Sequence, residues 1–183
     1  MRTSPMIPLL CGTLVLAVLA GCGTTFTPGA ARKPAGATGA KADAAWTALP
    51  DAPNAQTGAA VAPIGLTLYI VGGQGANGST VNNVSTFKAF DTWGVKPFHP
   101  AARAGMAAAV VPYARVLTAG GFNGSQAVAT TEMFGTEQNA WEKLPAMPTA
   151  RGNAAAASVG VFAYIAGGSA DGKVLDAFDV FDV

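Results

Sequence analysis

Apolar positions along the chain fall in short runs and not at helical spacing. "LTLYIV" (Leu66 to Val71) and "VFAYIA" (Val161 to Ala166) are brief, rich in aliphatic and aromatic side chains, and bounded by turn residues. That is the pattern of strands. "RAGMAAAVVPYA" (Arg103 to Ala114) and "RGNAAAASVGVF" (Arg151 to Phe162) are mostly Ala, Gly and Val. Alanine favours helix, yet the two stretches occupy equivalent places in a longer period, so both are read as strands with small side chains. One apolar run differs: Leu9 to Ala20 is continuous, about twelve residues, too short to span a bilayer as a mature helix.

The longer period is explicit. The only three tryptophans, Trp46, Trp93 and Trp141, are spaced by 47 and 48 residues. Diglycines at Gly72-Gly73, Gly120-Gly121 and Gly167-Gly168 are spaced by 48 and 47. Arg103 and Arg151 each follow a tryptophan by ten residues, and Gln56 stands at that offset after Trp46. A period of this length marks an array of structural repeats.

These residues resemble the kelch repeat: an arginine, a strand of small residues, a strand ending in Gly-Gly, an aromatic strand, then tryptophan and "LPxMP", as in "WEKLPAMPTAR" (Trp141 to Arg151). The copies depart from it where Leu117 replaces a tyrosine and where "VKPFHPAAR" (Val95 to Arg103) lacks the Leu-Pro-x-Met-Pro spelling. The resemblance implies an all-β fold of four-stranded antiparallel blades of a β-propeller. Residues 46–183 would carry it, with repeat 1 at about 56–102, repeat 2 at about 103–150 and a partial repeat 3 at 151–183. Two complete blades and one partial blade make an incomplete propeller, since closure takes four to eight. A fourth tryptophan is due at about position 188, so the expectation is a C-terminally truncated propeller, with completion by a second copy or an open three-bladed array as alternatives.

The N-terminal run is read as a signal peptide over 1–21, and Leu19-Ala20-Gly21-Cys22 resembles the lipobox of bacterial lipoproteins. The resemblance implies cleavage before Cys22 and its lipidation, hence an envelope protein, displayed at the outer membrane or cell surface if the cell is Gram-negative. Two or three acyl chains anchor firmly where one would not. Residues 22–45, rich in Gly, Ala, Thr and Pro, are read as a flexible tether with a span of about 25 to 30 Å. Cys11 lies in the segment to be removed, which leaves no thiol for a disulfide or a metal.

Charge changes the picture little. Only 11% of residues are charged and the net charge is +1, which speaks against nucleic acid. Gly73-x-Gly75-x-x-Gly78 spells a dinucleotide loop, but "STVNNVSTF" follows where a helix would have to open. Its copies "GGFNG" and "GGSADG" keep only the diglycine and an Asn-Gly or Asp-Gly pair. The expectation is therefore a type I′ hairpin turn in each repeat and no nucleotide. His99 is the only histidine and is read as an incidental loop residue, with no metal. Glu132, Glu137 and Glu142 are read as solvated or turn carboxylates.

No catalytic residue and no cofactor are assigned. Arg103 and Arg151, recurring once per repeat, are read as structural. The functional expectation is a binding module acting through its loops, Gln74 to Thr80 and Phe122 to Ala127, on an unknown protein or carbohydrate ligand. The alternative is part of a kelch-fold carbohydrate-active enzyme of mutarotase, epimerase or oxidase type. The oxidases of that fold need paired histidines and a cysteine-linked tyrosine, which the mature chain lacks.

Overall fold

A computed structural model describes residues 46–88 and 92–183. Leu19, Ala20, Gly21, Cys22 and the tether lie outside the described residues. Every regular element described is a strand, and every pairing is antiparallel.

Blade 1 contains β1 (Gln56–Thr57), β2 (Ala60–Ile64), β3 (Thr67–Gly75), β4 (Thr80–Lys88) and β5 (Thr92–Lys96); β1 and β2 both pair with β3, and the sheet continues through β4 to β5. In blade 2, β6 (Ala107–Val111), β7 (Arg115–Ala119), β10 (Thr131–Gly135) and β11 (Ala140–Leu144) follow one another across the sheet in chain order. Beyond its diglycine lies a small hairpin, β8 (Phe122–Asn123) with β9 (Gln126–Ala127). Blade 3 repeats the scheme with β12 (Ala155–Val159), β13 (Phe162–Ala166), the hairpin β14 (Ser169–Ala170) with β15 (Lys173–Val174), and β16 (Phe178–Asp182). Among the described residues its main sheet has three strands.

The alanine-rich segments are strands because of where they sit. β6 is the innermost strand of blade 2 and runs between the inner strands of its neighbours, β2 and β12. Only small side chains fit at this convergence of blades, so packing overrides the helical preference of alanine.

Two apolar junctions hold the blades together. Ala62 and Tyr69 of blade 1 meet Val116 and Phe134 of blade 2. Leu117, Ala119 and Met133, on the opposite face of blade 2, meet Ala163 and Ile165 of blade 3. Alternation along β7 sends Val116 to one junction and Leu117 to the other, and both are fully buried. Burying side chains of this size stabilises by about 1.5 to 3 kcal/mol each.

A backbone row crosses all three blades where the inner strands begin. Gly105 N–H donates to the Gly58 carbonyl and Asn153 N–H to the Gly105 carbonyl, both at 2.7 Å. All three residues have left-handed φ, from 55° to 64°. They stand two residues after Gln56, Arg103 and Arg151, in phase with the repeat.

Candidate functional site

The repeat-phased residues build the frame of one end of the blades. Each diglycine has both residues at positive φ, 61° and 112°, 64° and 97°, 63° and 106°; it follows β7 and β13 directly and interrupts the register within β3. In blade 2, Gly121 N–H donates to the Arg151 carbonyl at 2.9 Å; in blade 1, Gly73 N–H donates to the Arg103 carbonyl at 2.7 Å. A Cβ on Gly72 would lie 2.5 Å from that Arg103 oxygen, and one on Gly73 would lie 2.8 Å from the Thr57 oxygen. Close approach of the next blade's backbone at Gly72, and of the same blade's β1 at Gly73, therefore needs glycine at both positions.

Arg103 sends its guanidinium back into its own blade. Nη1 donates to the Gly120 carbonyl at 2.7 Å and to Thr130 Oγ1 at 2.6 Å, and Nη2 pairs with Glu132. Arg151 has the same place in blade 3, with Nη1 2.7 Å from Asp179 and Nη2 donating to the Ile165 carbonyl. Both arginines are about 1% exposed or less. Glu132 is buried as well, which corrects its reading as a solvated carboxylate: strand alternation on β10 points it at Arg103. Repeat 1 carries Gln56 at the arginine position and Ser85 at the carboxylate position. The two charges are lost together, and Gln56 instead accepts from Asn83 Nδ2 at 2.9 Å.

His99 is also buried, not an incidental loop residue. It occupies the position of Met147 in the next repeat, and the backbone N–H of each donates at 2.8 Å to the preceding blade. The ring stands edge-on to Trp141, 4.6 Å between centroids. Nδ1 lies 2.8 Å from the Ala101 carbonyl and Nε2 3.2 Å from Arg103 Nη2. Because Arg103 can only donate, Nε2 accepts and the proton is assigned to Nδ1. Burial first, and the Arg103 charge as well, hold the imidazole pKa down to about 4 against the opposing pull of the Ala101 carbonyl. At neutral pH this is an uncharged acceptor inside the frame.

The tryptophans have a common partner. Trp93 Nε1 donates to the Pro50 carbonyl at 3.3 Å and Trp141 Nε1 to the Pro97 carbonyl at 3.1 Å, each on the connector entering that blade. Trp141 also packs against the junction with blade 1. Trp46 is fully exposed.

Above this frame stand three hairpins that differ. Gly75 to Gly78 form a turn closed by Gly78 N–H to the Gly75 carbonyl at 2.9 Å, with only Gly78 of the Asn77-Gly78 pair at positive φ. In blade 2 the loop is Gly124-Ser125, with Gly124 alone at positive φ, as in a type II′ turn. Only Asp171-Gly172, at 50° and 73°, has the two positive φ values of type I′. The expectation of one shared turn type is corrected: loop length and the place of the glycine select a different turn each time. In blade 1 the strand β4 follows the Gly-x-Gly-x-x-Gly stretch, where a dinucleotide site needs a helix.

A cleft of about 490 Å³ opens beside the first hairpin, lined by Pro53, Asn54, Gln56, Ala76, Asn82 and Asn83 among others. Its polar side chains are all amides, each offering donors and an acceptor. No group of three or more His, Cys, Asp or Glu among the described residues could hold a metal.

Three features escaped the sequence reading. The pairing of Arg103 with Glu132 and of Arg151 with Asp179 could have been found as carboxylates 29 and 28 residues after each arginine. The left-handed row of Gly58, Gly105 and Asn153 was visible in the phase. The amide cleft was not, since it depends on how a connector folds over a hairpin.

Comparison with known proteins agrees with this frame. Residues 102–148 match the Kelch motif. The solved structure of YjhT is similar, with a TM-score of 0.67 at 18% identity, covering 75% of this chain and 46% of that one. The chain thus spans about half the length of that structure. No curated protein matches. The Kelch motif thus falls on blade 2, and the described residues have the fold of β-propeller blades, two complete and a third represented by three strands.

Proposed function

We propose that this chain is a binding module carried on the bacterial cell envelope, which engages its partner through the hairpins beyond the diglycines. One observation carries the reading: the diglycine keeps its geometry in all three blades, the arginine in blades 2 and 3 and the tryptophan in blades 1 and 2, while the three hairpins differ in sequence and turn type. A rigid frame presenting variable loops is the usual architecture of recognition. The buried state of His99, Arg103 and Glu132 supports a structural role for the most polar cluster and argues against a catalytic one.

A carbohydrate is the second reading, favoured by the amide-lined cleft at Gln56, Asn82 and Asn83. Neutral amides that both donate and accept suit hydroxyl groups without the desolvation cost of a charge. Screening the purified chain against an oligosaccharide array and an envelope protein extract separates the two. Replacing Gln126 and Ser125 in the blade 2 hairpin by Ala-Ala is expected to weaken protein capture at least tenfold. Replacing Asn54 by Ala would do the same to a sugar ligand. If neither change alters any binding detected, the loop reading fails.

The anchor is proposed on the lipobox resemblance at Cys22. A Cys22→Ser variant is expected to lose palmitate labelling and detergent partitioning; retention of both would overturn it.

A further inference from the structure

Two of the three hairpins carry the same tripeptide at their tips. Asn77-Gly78-Ser79 in blade 1 and Asn123-Gly124-Ser125 in blade 2 are identical in sequence, and all six residues are exposed. Asparagine before glycine leaves its side-chain amide open to attack by the next backbone nitrogen, because glycine has no Cβ to shield that nitrogen. The two copies differ in how that nitrogen and that amide are held.

In blade 1 both reacting groups are engaged. Gly78 N–H donates to the Gly75 carbonyl at 2.9 Å, and Asn77 Oδ1 accepts from Ser79 N–H at 3.1 Å. Ring closure there would have to break both bonds. In blade 2 the two-residue loop pairs Asn123 with Gln126 and leaves Gly124 at the tip, with a left-handed φ of 61°. Among the described residues nothing accepts from Gly124 N–H, and the Asn123 amide has no hydrogen-bond partner. The base of this hairpin is nevertheless clamped. Phe122 N–H donates to the Ala104 carbonyl at 2.7 Å, and Ala104 N–H returns to the Phe122 carbonyl at 3.0 Å. The hairpin therefore stays formed while its tip is free to react. The third hairpin has Asp171-Gly172, whose carboxylate is a much poorer electrophile than an amide.

We propose that Asn123 is a site of spontaneous covalent modification, deamidation through a succinimide, and that the fold protects Asn77 from the same reaction. Gly124 N attacks Asn123 Cγ: the N–Cγ bond forms and the N–H proton is lost to solvent, while the Cγ–Nδ2 bond breaks and the departing NH2 takes up a proton to leave as ammonia. Water then opens the five-membered ring. Entry at Cγ gives aspartate, and entry at the backbone carbonyl gives isoaspartate, whose main chain runs through the β-carbon. Water is the only co-reactant, and nothing is oxidised or reduced. Residues 122–127 carry no charge, so either product puts the first carboxylate on this hairpin. Isoaspartate also lengthens the backbone of a hairpin whose strands have only two residues each. The reaction is intrinsic to the hairpin and needs no partner.

Incubating the purified full chain in detergent at mildly alkaline pH and mapping its peptides by mass spectrometry tests this. The readouts are the mass gain from exchanging NH2 for OH at each asparagine and methyl transfer to isoaspartate by an isoaspartyl methyltransferase. In the folded chain Asn123 is expected to convert at least tenfold faster than Asn77, giving both aspartate and isoaspartate. In urea, where the identical tripeptides are released from their turns, the two rates are expected to converge. A smaller difference in the folded chain, faster conversion at Asn77, or no conversion at either site would overturn the proposal. A difference that persists undiminished in urea would overturn it too, because the preceding residues, Ala76 and Phe122, and not the fold would then set the rates.

Discussion

The connector into blade 2 and the connector into blade 3 fill the same space with different chemistry. The first seats His99 beside Thr118, Arg103 and Glu132. The second seats Met147 in an apolar cluster with Ile165, while Arg151 pairs with Asp179. Thr118 and Ile165 are equivalent positions on β7 and β13, so the polar ring has a hydroxyl beside it and the thioether has a hydrocarbon. What these two repeats share is a buried plug in the same place under blades 2 and 3. Its polarity is free to change provided the residue opposite changes with it.

The largest effect should come from breaking the charge pair in the polar pocket. Arg103→Met leaves Glu132 buried without its partner and is expected to cost about 3 to 5 kcal/mol, read as a shift in the urea unfolding midpoint. Arg151→Met should cost less, about 1.5 to 3 kcal/mol, because Asp179 is 26% exposed and can turn to water. Equal losses at the two sites would mean the pockets do not differ as described.

Acid should separate the pockets next. His99 has a folded pKa of about 4 against an ordinary value near 6.5, so between these values the unfolded chain binds more protons than the native one. Stability is then complete above about pH 6.5, falls as pH drops toward 4, and loses on the order of 3 kcal/mol from this residue. Melting curves across that window should flatten in His99→Met. A profile as steep in that variant as in the parent would show that His99 is not the group responsible.

A smaller term is the coupling between the plug and its neighbour. His99→Met and Thr118→Ile should each destabilise alone and compensate together, with an interaction energy of about 1 kcal/mol or more in a double-mutant cycle. Strict additivity would mean the two positions vary independently.

Much of this frame was legible before any coordinates. Trp93 and Trp141, with Gly72-Gly73 and its copies, announced blades and their phase, and the alanine-rich segments were placed as strands by that phase against their own propensity. The site was less legible. His99 stood at the phase of Met147, but histidine in an unrecognised "VKPFHP" looks like loop chemistry, because sequence position alone carries no burial. Glu132 had the same difficulty: only the pairing of β10 with β7, which sets Glu132 opposite Thr118, shows which carboxylate faces the arginine.

Sequence by itself determined the repeat, because a unit stacked on copies of itself must place the same residue types at the same contacts, and 47 or 48 residues later they recur. Tertiary structure decided burial. Ala107 and Ala155 are the same residue at the same position of an inner strand, yet one is 3% exposed and the other lies open. The difference is whether another blade lies on that face, and no local pattern of side chains contains that information.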